Sequence, residues 1–529
     1  MNIEHLSQTL LTHSPALIVA VPLLGAFLTP LISRINDKLR NVFVILTAGL
    51  TGFLVLLLSY DVLINGNIHT YIFGSQDIGS PVVRILFEVD GMNAFMIIIG
   101  AILVFVAVVY SWAFMKENTG LDKYYTLILL MAAGMFGMML TGDMFNFFVF
   151  LEITSISSCA LIAFWTNKGK AVEAGFKYIV ISTIGALFIL LAIAILYGQY
   201  NALNMAVLAD SIQYTFLDKI AFVLLIAGLA MKAGIVPMHM WLPDAYGRAP
   251  SSVTIVLIGT TQASLYALFR VCFTIYGNSL TAPLKQIGSV TITLNGLLGT
   301  FIVMLAIITI IVGVFMALKQ TNFKRIIAFA AIAEIGYIFL AVGAGLWALG
   351  SDHGMMALKG GVFHIINDAL DVGLLFLVAG AIYYATKETS LNRMGGLARN
   401  MKYTTIFFLI GLLAVSGMPP MNGFASKLLI YESIYLINPI LAIVAILCSI
   451  LLLAVFVKVF YSAFLGPKIP RFNDVKEVPK SMLIAMGLIA CVIIFFGLFP
   501  DLIVNNIVEP AANALANNSN YISQIVGGS

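Results

Sequence analysis

Residues 231–238 read MKAGIVPM and place a lysine and a proline inside one long apolar run. Because proline lacks a backbone N–H and its ring clashes with the preceding turn, a helix through this run should break near Pro237. Residues 415–421 repeat the pattern as VSGMPPM, and Lys427 lies eight residues after Pro419. Paired broken helices in two halves of a chain are typical of repeat-built transporters with ion sites near the membrane centre. The alternative is that both prolines only kink helices for packing.

The composition excludes an ordinary soluble protein. Hydrophobic residues make up 61% of the 529 residues and charged residues only 10%, whereas soluble domains contain roughly 45–50% and 25%. Lipid can contact apolar side chains directly, so a membrane protein accounts for the missing charges. The net charge of +4 is small and no basic block is present, so no nucleic-acid partner is expected.

Fourteen apolar runs are long enough to cross a bilayer, which takes about 20 residues. They start near Ala16, Val42, Met92, Tyr124, Met144, Phe176, Ile220, Ser251, Leu297, Phe323, Met355, Thr404, Ile440 and Ser481. The predicted fold is therefore an all-α polytopic membrane protein of about fourteen helices, with the seventh and twelfth broken. The sequence begins MNIEH without a basic segment, so the first run is expected to be a retained helix rather than a signal peptide.

Basic residues alternate between the predicted loops. The loops after odd-numbered helices carry nineteen Lys and Arg residues, and those after even-numbered helices carry only Arg84, Lys219 and Lys285. Because cytoplasmic loops are enriched in Lys and Arg, this bias supports the helix count and predicts that both termini face outside the cytoplasm. The expected location is the cell membrane.

No pattern for a metal, cofactor or nucleotide stands out. The four cysteines (Cys159, Cys272, Cys448 and Cys491) are far apart in apolar runs, and no HExxH, CxxCH or GxxxxGK[ST] motif occurs. We therefore expect no bound cofactor and no metal site in this chain.

Two opposite charges fall within predicted helices five and seven. Glu152 lies in the apolar segment FVFLEIT (148–154), and Lys232 precedes the first break. Buried charges must pair, neutralise or face a wet cavity, so we expect these two side chains to approach each other directly or through a water. If the pair opens, the buried lysine releases its proton more readily, which is the elementary step of a charge-driven pump. The alternative is a static buried ion pair.

A second polar group is predicted where helices ten and eleven meet. His364, Asp368 and Asp371 are spaced i, i+4 and i+7 and so share one helical face. Helix ten adds Glu334 within the apolar segment AIAEIGY (331–337). A histidine between carboxylates can exchange a proton near neutral pH, so this face is interpreted as a relay or a cation site. The alternative is a hydrogen-bonded packing histidine.

Three motifs resemble those of one family: the antiporter-like subunits of respiratory complex I, Mrp sodium/proton antiporters and membrane-bound hydrogenases. Residues 232–245 (KAGIVPMHMWLPDA) are similar to its broken-helix signature, and 248–250 continue it. Residues 322–329 (NFKRIIAF) resemble its D-x-K-R-x-x-A-Y stretch, and 417–427 (GMPPMNGFASK) resemble its G-x-P-P-x-x-G-F-x-x-K element. The resemblance implies fourteen helices with two inverted five-helix repeats, at helices 4–8 and 9–13.

The resemblance also implies domains and residue roles. The expected units are residues 1–122, a first repeat at 123–276, a second at 287–465, and a C-terminal part at 466–529. Glu152 and Lys232 correspond to the glutamate of helix five and the lysine of helix seven. Lys427 corresponds to the terminal lysine of helix twelve, the expected outlet to the outer side.

This chain departs from the family pattern at the centre. Gln262 stands where helix eight usually carries lysine or histidine, and the pattern N-H-A-x-x-K reads NDALDV at 367–372. Glutamine cannot hold a proton, so the relay must pass through water or another carrier there. The extra acids Glu334, Asp368 and Asp371 suit either a stored proton or Na⁺.

The sequence therefore predicts a non-catalytic subunit that translocates protons, or Na⁺, within a membrane-bound multi-subunit complex. Its polar residues should follow one hydrated line at mid-membrane depth: Glu152, Lys232, Gln262, Glu334, His364, Asp368, Asp371 and Lys427. The central departures favour a hydrogenase-type complex whose other subunits hold the redox chemistry. The D-type subunit of an Mrp antiporter and a non-conducting membrane scaffold are the alternatives.

Overall fold

The structure, a computed structural model, describes residues 3–74, 85–277, 280, 283–287 and 290–526. Its helices are α1 (Ile3–Ser33), α2 (Asp37–Leu63), α3 (Gly91–Phe114), α4 (Leu121–Leu140), α5 (Met144–Ile162), α6 (Gly169–Tyr200), α7 (Met205–Ser211), α8 (Phe216–Ala233), α9 (Leu242–Arg248), α10 (Ser251–Phe269), α11 (Leu294–Lys319), α12 (Phe323–Trp347), α13 (Asp352–Thr386), α14 (Lys402–Val415), α15 (Asn422–Ile437), α16 (Pro439–Phe460), α17 (Lys480–Leu498), α18 (Pro500–Ile503), α19 (Glu509–Ala516) and α20 (Asn518–Val526). Single π-helical turns extend α10 to Ile275 and α16 to Leu465.

Twelve helices in the described ranges are long and apolar enough to cross a membrane. The predicted helices seven and twelve are the two remaining ones, and each is split, into α8 with α9 and into α14 with α15. This agrees with the predicted membrane-spanning helical fold and is consistent with a count of fourteen. The inverted relation between the two repeats and the domain boundaries stay predictions; the boundary at 276–287 lies partly outside the described residues.

Both breaks start in the same way. α8 ends before Gly234, whose φ is +80°, and α14 is followed by Gly417, whose φ is +65°. A side chain at either position would be strained in this left-handed conformation and would also lie within 3 Å of Leu242 or Lys427, respectively. Prolines then follow, so neither helix can continue in register. The sequence pattern that repeats in the two halves therefore corresponds to a helix break that repeats in the structure.

Two connections contain short strands, which the sequence analysis did not predict. Strands β1 (His69–Phe73) and β2 (Ile85–Val89) pair antiparallel, as do β3 (Pro283–Ile287) and β4 (Val290–Thr293). The tail after α17 is helical, and the Tyr521 hydroxyl of α20 donates a hydrogen bond to Glu88 of β2. The strands lie in connections between membrane-size helices and the tail follows the last of these helices, so the fold class is unchanged.

Contacts between loops separate the two faces of the molecule. The connections after α3, α5, α13 and α16 touch one another, for example through Trp165 and Asn118 (3.0 Å) and through Asn400 and the Phe472 carbonyl (2.9 Å). At the other face, the ring of His13 in α1 lies 5.7 Å from that of Tyr71 in β1. β1 and β2 form one hairpin, and β2 contacts Tyr521 of the C-terminal tail. α1 and the C-terminal tail thus contact the hairpin that follows α2, which is one of the loops after the even-numbered predicted helices. Arg84 and the side chain of Lys285 lie outside the described residues.

Three helices form the centre of the protein. The apolar stretches of α10, α12 and α13 are entirely buried, whereas fewer than half of the residues in those of α1, α6 and α16 are buried. Since Gln262, Glu334 and His364 lie on these three central helices, the fold brings polar groups together away from lipid. That arrangement positions the site described next.

Candidate ion-translocation site

Lys232 occupies the last turn of α8, just before the first break. Its Nζ donates hydrogen bonds to Ser155 Oγ on α5 (2.6 Å) and Ser182 Oγ on α6 (2.5 Å), and the side chain is only 8% exposed. Two glycines permit this approach, because a Cβ at Gly228 of α8 would lie 2.6 Å from the Gly185 carbonyl oxygen of α6. Sequence reasoning missed both serines. Ser155 was recognisable by its position one turn after Glu152, but Ser182 looks like any small packing residue.

Glu152 is half-buried on α5 and does not contact Lys232 directly. No N···O distance between the two is within 4.0 Å, and the carboxylate oxygen Oε1 is buried without a hydrogen-bond partner among the described residues. The direct form of the predicted ion pair is therefore wrong for this structure, because the two serine hydroxyls hold the ammonium instead. A water bridge between the two groups stays a prediction.

Glu334 on α12 contacts two basic side chains. Its Oε1 lies 2.8 Å from Lys427 Nζ on α15, and its Oε2 lies 3.0 Å from His364 Nε2 on α13. All three side chains are 1% exposed. The predicted polar face of α13 thus meets Glu334, as the sequence indicated, and also meets the terminal lysine of the second broken helix.

The second break itself helps to hold Lys427. The ammonium donates a hydrogen bond to the carbonyl of Val415 (2.8 Å), the last residue of α14, and lies 4.6 Å from the centroid of the Tyr337 ring. A helix C-terminus carries unpaired carbonyls and partial negative charge, so it stabilises a cation. The interruption therefore creates a polar pocket within an apolar protein.

A neutral network supports the charged group. Ser426 accepts from Asn367 Nδ2 (2.9 Å) and lies 3.0 Å from His364 Nδ1, while Asn367 and Asn422 hydrogen bond to each other (3.0 Å). Sequence reasoning quoted these three residues within motifs but did not assign them to the site. Their adjacency to Lys427 and Asp368 in sequence was the available signal.

Asp368 and Asp371 extend the site along α13. The Gln262 amide on α10 donates a hydrogen bond to Asp368 Oδ2. Asp371 points at the start of α15, because a Cβ built on Gly423 would lie 3.2 Å from its Oδ2. Both aspartates are 2% exposed, and in each the Oδ1 oxygen has no partner among the described residues. These oxygens can accept a proton or contact a small cation.

Aromatic residues of the first break separate the two halves of the site. Trp241 donates from Nε1 to the carbonyl of Met231 (3.0 Å), next to Lys232, and the Tyr246 hydroxyl lies 2.6 Å from Thr261 Oγ1, next to Gln262. Their rings are 6.3 Å apart. In the described part of the chain no hydrogen bond joins Lys232 to Gln262, and the single hydrated line through all the predicted residues stays a prediction. Among the described residues, no cluster of three or more His, Cys, Asp or Glu side chains is arranged to hold a metal ion.

Comparison with known proteins identifies the group to which these features belong. Residues 141–452 match the family described as the NADH:quinone oxidoreductase/Mrp antiporter membrane region. Subunit N of the NADH-quinone oxidoreductase of Desulforudis audaxviator is 30% identical over 520 residues, which cover 94% of this chain and 98% of that subunit. The chain belongs to this NADH:quinone oxidoreductase/Mrp antiporter family. The resemblance seen in the three motifs is thereby confirmed.

Solved structures from the NADH:quinone oxidoreductase/Mrp antiporter family share the fold over nearly the whole chain. A chain of the archaeal membrane-bound sulfane sulfur reductase superposes with a TM-score of 0.83 at 28% identity, covering 97% of this chain and 99% of its own. A chain of the Mrp complex of Dietzia sp. DQ12-45-1b gives a TM-score of 0.84 at 24% identity, covering 98% and 100%. The two complexes differ in chemistry, so the fold alone does not choose between them.

Proposed function

We propose that this chain translocates protons or sodium ions as the antiporter-like subunit of a membrane-bound respiratory or hydrogenase-type complex. The observation that carries the proposal is Glu334, a fully buried carboxylate that contacts both Lys427 and His364. Buried ion pairs are seldom the best way to gain stability, since replacing them with apolar groups is often neutral or favourable. A charged triad at the centre of an apolar protein therefore supports a transport role.

The triad offers two arrangements of charge. With His364 neutral, Glu334 balances the Lys427 ammonium; with His364 protonated, two cations compete for one carboxylate. The added charge weakens the hold on Lys427, whose other hydrogen bond is to the Val415 carbonyl at the break. A proton arriving at one end of the triad can thus displace a charge at the other end.

Lys232 supplies a similar element in the first half. Its ammonium is held by neutral hydroxyls, so it lacks a contacting counter-charge in this arrangement. Approach of the half-buried Glu152 carboxylate would stabilise the ammonium, and withdrawal would favour loss of its proton.

Either ion is compatible with the central acids. A proton would reside on Asp368 or Asp371, whereas Na⁺ would use their unpartnered Oδ1 oxygens together with Oε1 of Gln262, which also has no partner among the described residues. Oxygen-only ligands suit hard cations. We keep both ions in the proposal and test them separately in the Discussion.

The parent assembly is proposed as a redox complex. A near full-length relative is a subunit of NADH-quinone oxidoreductase, and the sulfane sulfur reductase structure belongs to an archaeal respiratory complex. Redox chemistry would then reside in other subunits, with this chain in the cell membrane and both termini outside. The preference for a hydrogenase within this class stays a prediction. A D-type subunit of an Mrp antiporter is the second candidate, favoured by the likeness to the Dietzia Mrp complex.

One experiment tests the proposal and separates its competitors. The complex is purified through a tag on this chain, its subunits are identified by mass spectrometry, and it is reconstituted in proteoliposomes with a pH-sensitive dye. A redox-driven pump acidifies or alkalises the lumen when the donor is added, while an Mrp antiporter responds to an imposed Na⁺ gradient instead. Absence of both responses in an intact complex, or transport that survives Glu334→Gln unchanged, would support a non-conducting scaffold.

A further inference from the structure

A cationic pocket of about 290 Å³ opens at the basic face, away from the ion path. It lies where the α5–α6 connection, the end of α9, the start of α12 and the end of α13 meet. The side chains that define it are Trp165, Lys168, Lys170, Arg248, Lys324 and Tyr383. Four of these six are basic, and no acidic residue lines the pocket.

The positive charges of this pocket are not compensated by the protein. Among the described residues, none of the four basic side chains forms an ion pair within 4.0 Å. Lys324 is only 6% exposed and donates a hydrogen bond to the Ala249 carbonyl (2.9 Å), a neutral acceptor. Asp244 lies nearby but is already paired with Arg325 (2.6 Å) and Lys177 (3.0 Å). A buried ammonium without a counter-charge is costly, so an anion bound in this pocket would stabilise Lys324.

The first turn of α6 adds backbone donors to the same pocket. Gly169, Lys170 and Ala171 begin this 32-residue helix and line the cavity, and Lys168 before them makes no side-chain cap. The N–H of Ala171 already donates to the Lys168 carbonyl (2.8 Å), so Gly169 and Lys170 supply the free backbone donors. The free N–H groups and positive end of a helix favour phosphate groups. We infer that this pocket binds a phosphate-bearing anion, the phosphodiester headgroup of an anionic phospholipid.

The surroundings select a lipid rather than free phosphate. Directly after the pocket, α6 exposes the apolar side chains Val172 (43%), Phe176 (68%) and Val180 (40%), a surface suited to acyl chains. Trp165 and Tyr383 form one wall, with the Lys168 ammonium 3.8 Å from the Trp165 ring centroid and 3.0 Å from the Tyr383 hydroxyl. Tryptophan and tyrosine are enriched at headgroup depth, and basic pockets beside helices recognise anionic headgroups.

Trp165 provides a local readout of occupancy. The purified complex, in phosphatidylcholine nanodiscs, is titrated with phosphatidylglycerol brominated near the headgroup end of its acyl chains, and the signal of Trp165 is obtained by subtracting that of Trp165→Phe. We expect saturable quenching by brominated phosphatidylglycerol and not by brominated phosphatidylcholine. The double variant K170Q/R248Q should weaken the apparent affinity by about 25-fold, or about fivefold for each basic residue removed.

The variant K402Q/K476Q is the matched control, since it removes two exposed basic residues of the same face outside the pocket. It should bind as the parent does. A second arm adds sodium phosphate, against sodium chloride at equal ionic strength, and follows protection of Lys170 from an amine-reactive label. Protection by phosphate without lipid-dependent quenching would overturn the lipid and identify free phosphate as the ligand. Equal quenching by both lipids, or by parent and K170Q/R248Q, would overturn the site, whatever the result for ion transport.

Discussion

The side-chain amide of Gln262 on α10 donates a hydrogen bond to Oδ2 of Asp368 on α13. Both residues stand at positions where the chain departs from the family pattern, so these two departures form a single contact. The glutamine supplies a neutral donor where the pattern has a cation, and the aspartate supplies an acceptor where the pattern has histidine. A change at one position therefore alters the partner of the other.

The substitution Gln262→Lys should shift the pH dependence of transport without abolishing it. An ammonium at this position would meet Asp368 and replace a neutral hydrogen bond with an ion pair, which changes where the relay holds its charge. The measurement is the initial rate of dye response in proteoliposomes from about pH 6 to about pH 9, a range that brackets neutrality. Gln262→Met is the control, since it keeps the length of the side chain and removes its donors. An unchanged pH profile in Gln262→Lys would contradict the placement of Gln262 in the ion path.

Replacing Lys232 by alanine should nearly abolish coupled transport while the complex still assembles. Within the described ranges, Lys232 is the sole cation that contacts Ser155 and Ser182. The alanine variant leaves two hydroxyls that already hydrogen bond to each other (3.1 Å). Little structural damage is therefore expected. Lys177→Ala serves as control, because Lys177 is a surface lysine of α6 paired with Glu173 and lies off the path. Transport in Lys232→Ala at the level of this control would remove Lys232 from the mechanism.

The Glu334–Lys427 contact allows stability and transport to be separated. Removing one partner of a buried ion pair costs about 3–5 kcal/mol, whereas replacing both by apolar groups is often neutral. Glu334→Gln should thus lower the melting temperature of the complex, and the double variant E334M/K427M, which replaces both partners by apolar side chains, should recover most of the loss. Both variants should lack transport. Recovery of transport together with stability would mean that the pair is only structural.

Cysteine labelling tests the predicted topology. Single cysteines introduced on the basic face, at Lys116 after α3, Lys170 in the first turn of α6 and Lys476 after α16, should react only from the cytoplasmic side. Single cysteines at Asn65 and Ser519 should react only from outside. The contacts that group these loops into two faces fix their relation to one another, and the labelling supplies the orientation. A cytoplasmic position for Ser519 would contradict the expected orientation.

Sequence patterns predicted the helices and the breaks because apolar length and proline act locally. The breaks near Pro237 and Pro419 could be predicted without knowing which helices pack against them. In the same way, the i, i+4, i+7 spacing placed His364 and Asp368 on one helical face. The partners of Lys232 could not be predicted in this way, since Ser182 becomes a ligand only through the close approach of α6 and α8 at Gly185 and Gly228. The strands were missed because their loops carry no strong alternation.

Asp371→Asn tests whether the central acids carry the ion. Asp371 is 2% exposed, its Oδ1 has no partner among the described residues, and its Oδ2 faces the start of α15. Asparagine keeps the size and one carbonyl oxygen but removes the charge and the proton-binding site. If protons use this position, transport should fall at least tenfold, a change of about 1.4 kcal/mol in barrier, at every Na⁺ concentration. If Na⁺ uses it, the rate should recover as the Na⁺ concentration is raised, because a neutral oxygen binds the ion more weakly.

The measurement is the transport rate against Na⁺ concentration at fixed pH, with Asp352→Asn on the exposed first turn of α13 as control. Equal rates in the two variants would assign Asp371 to packing against α15 and leave Asp368 and Glu334 as the acids of the path.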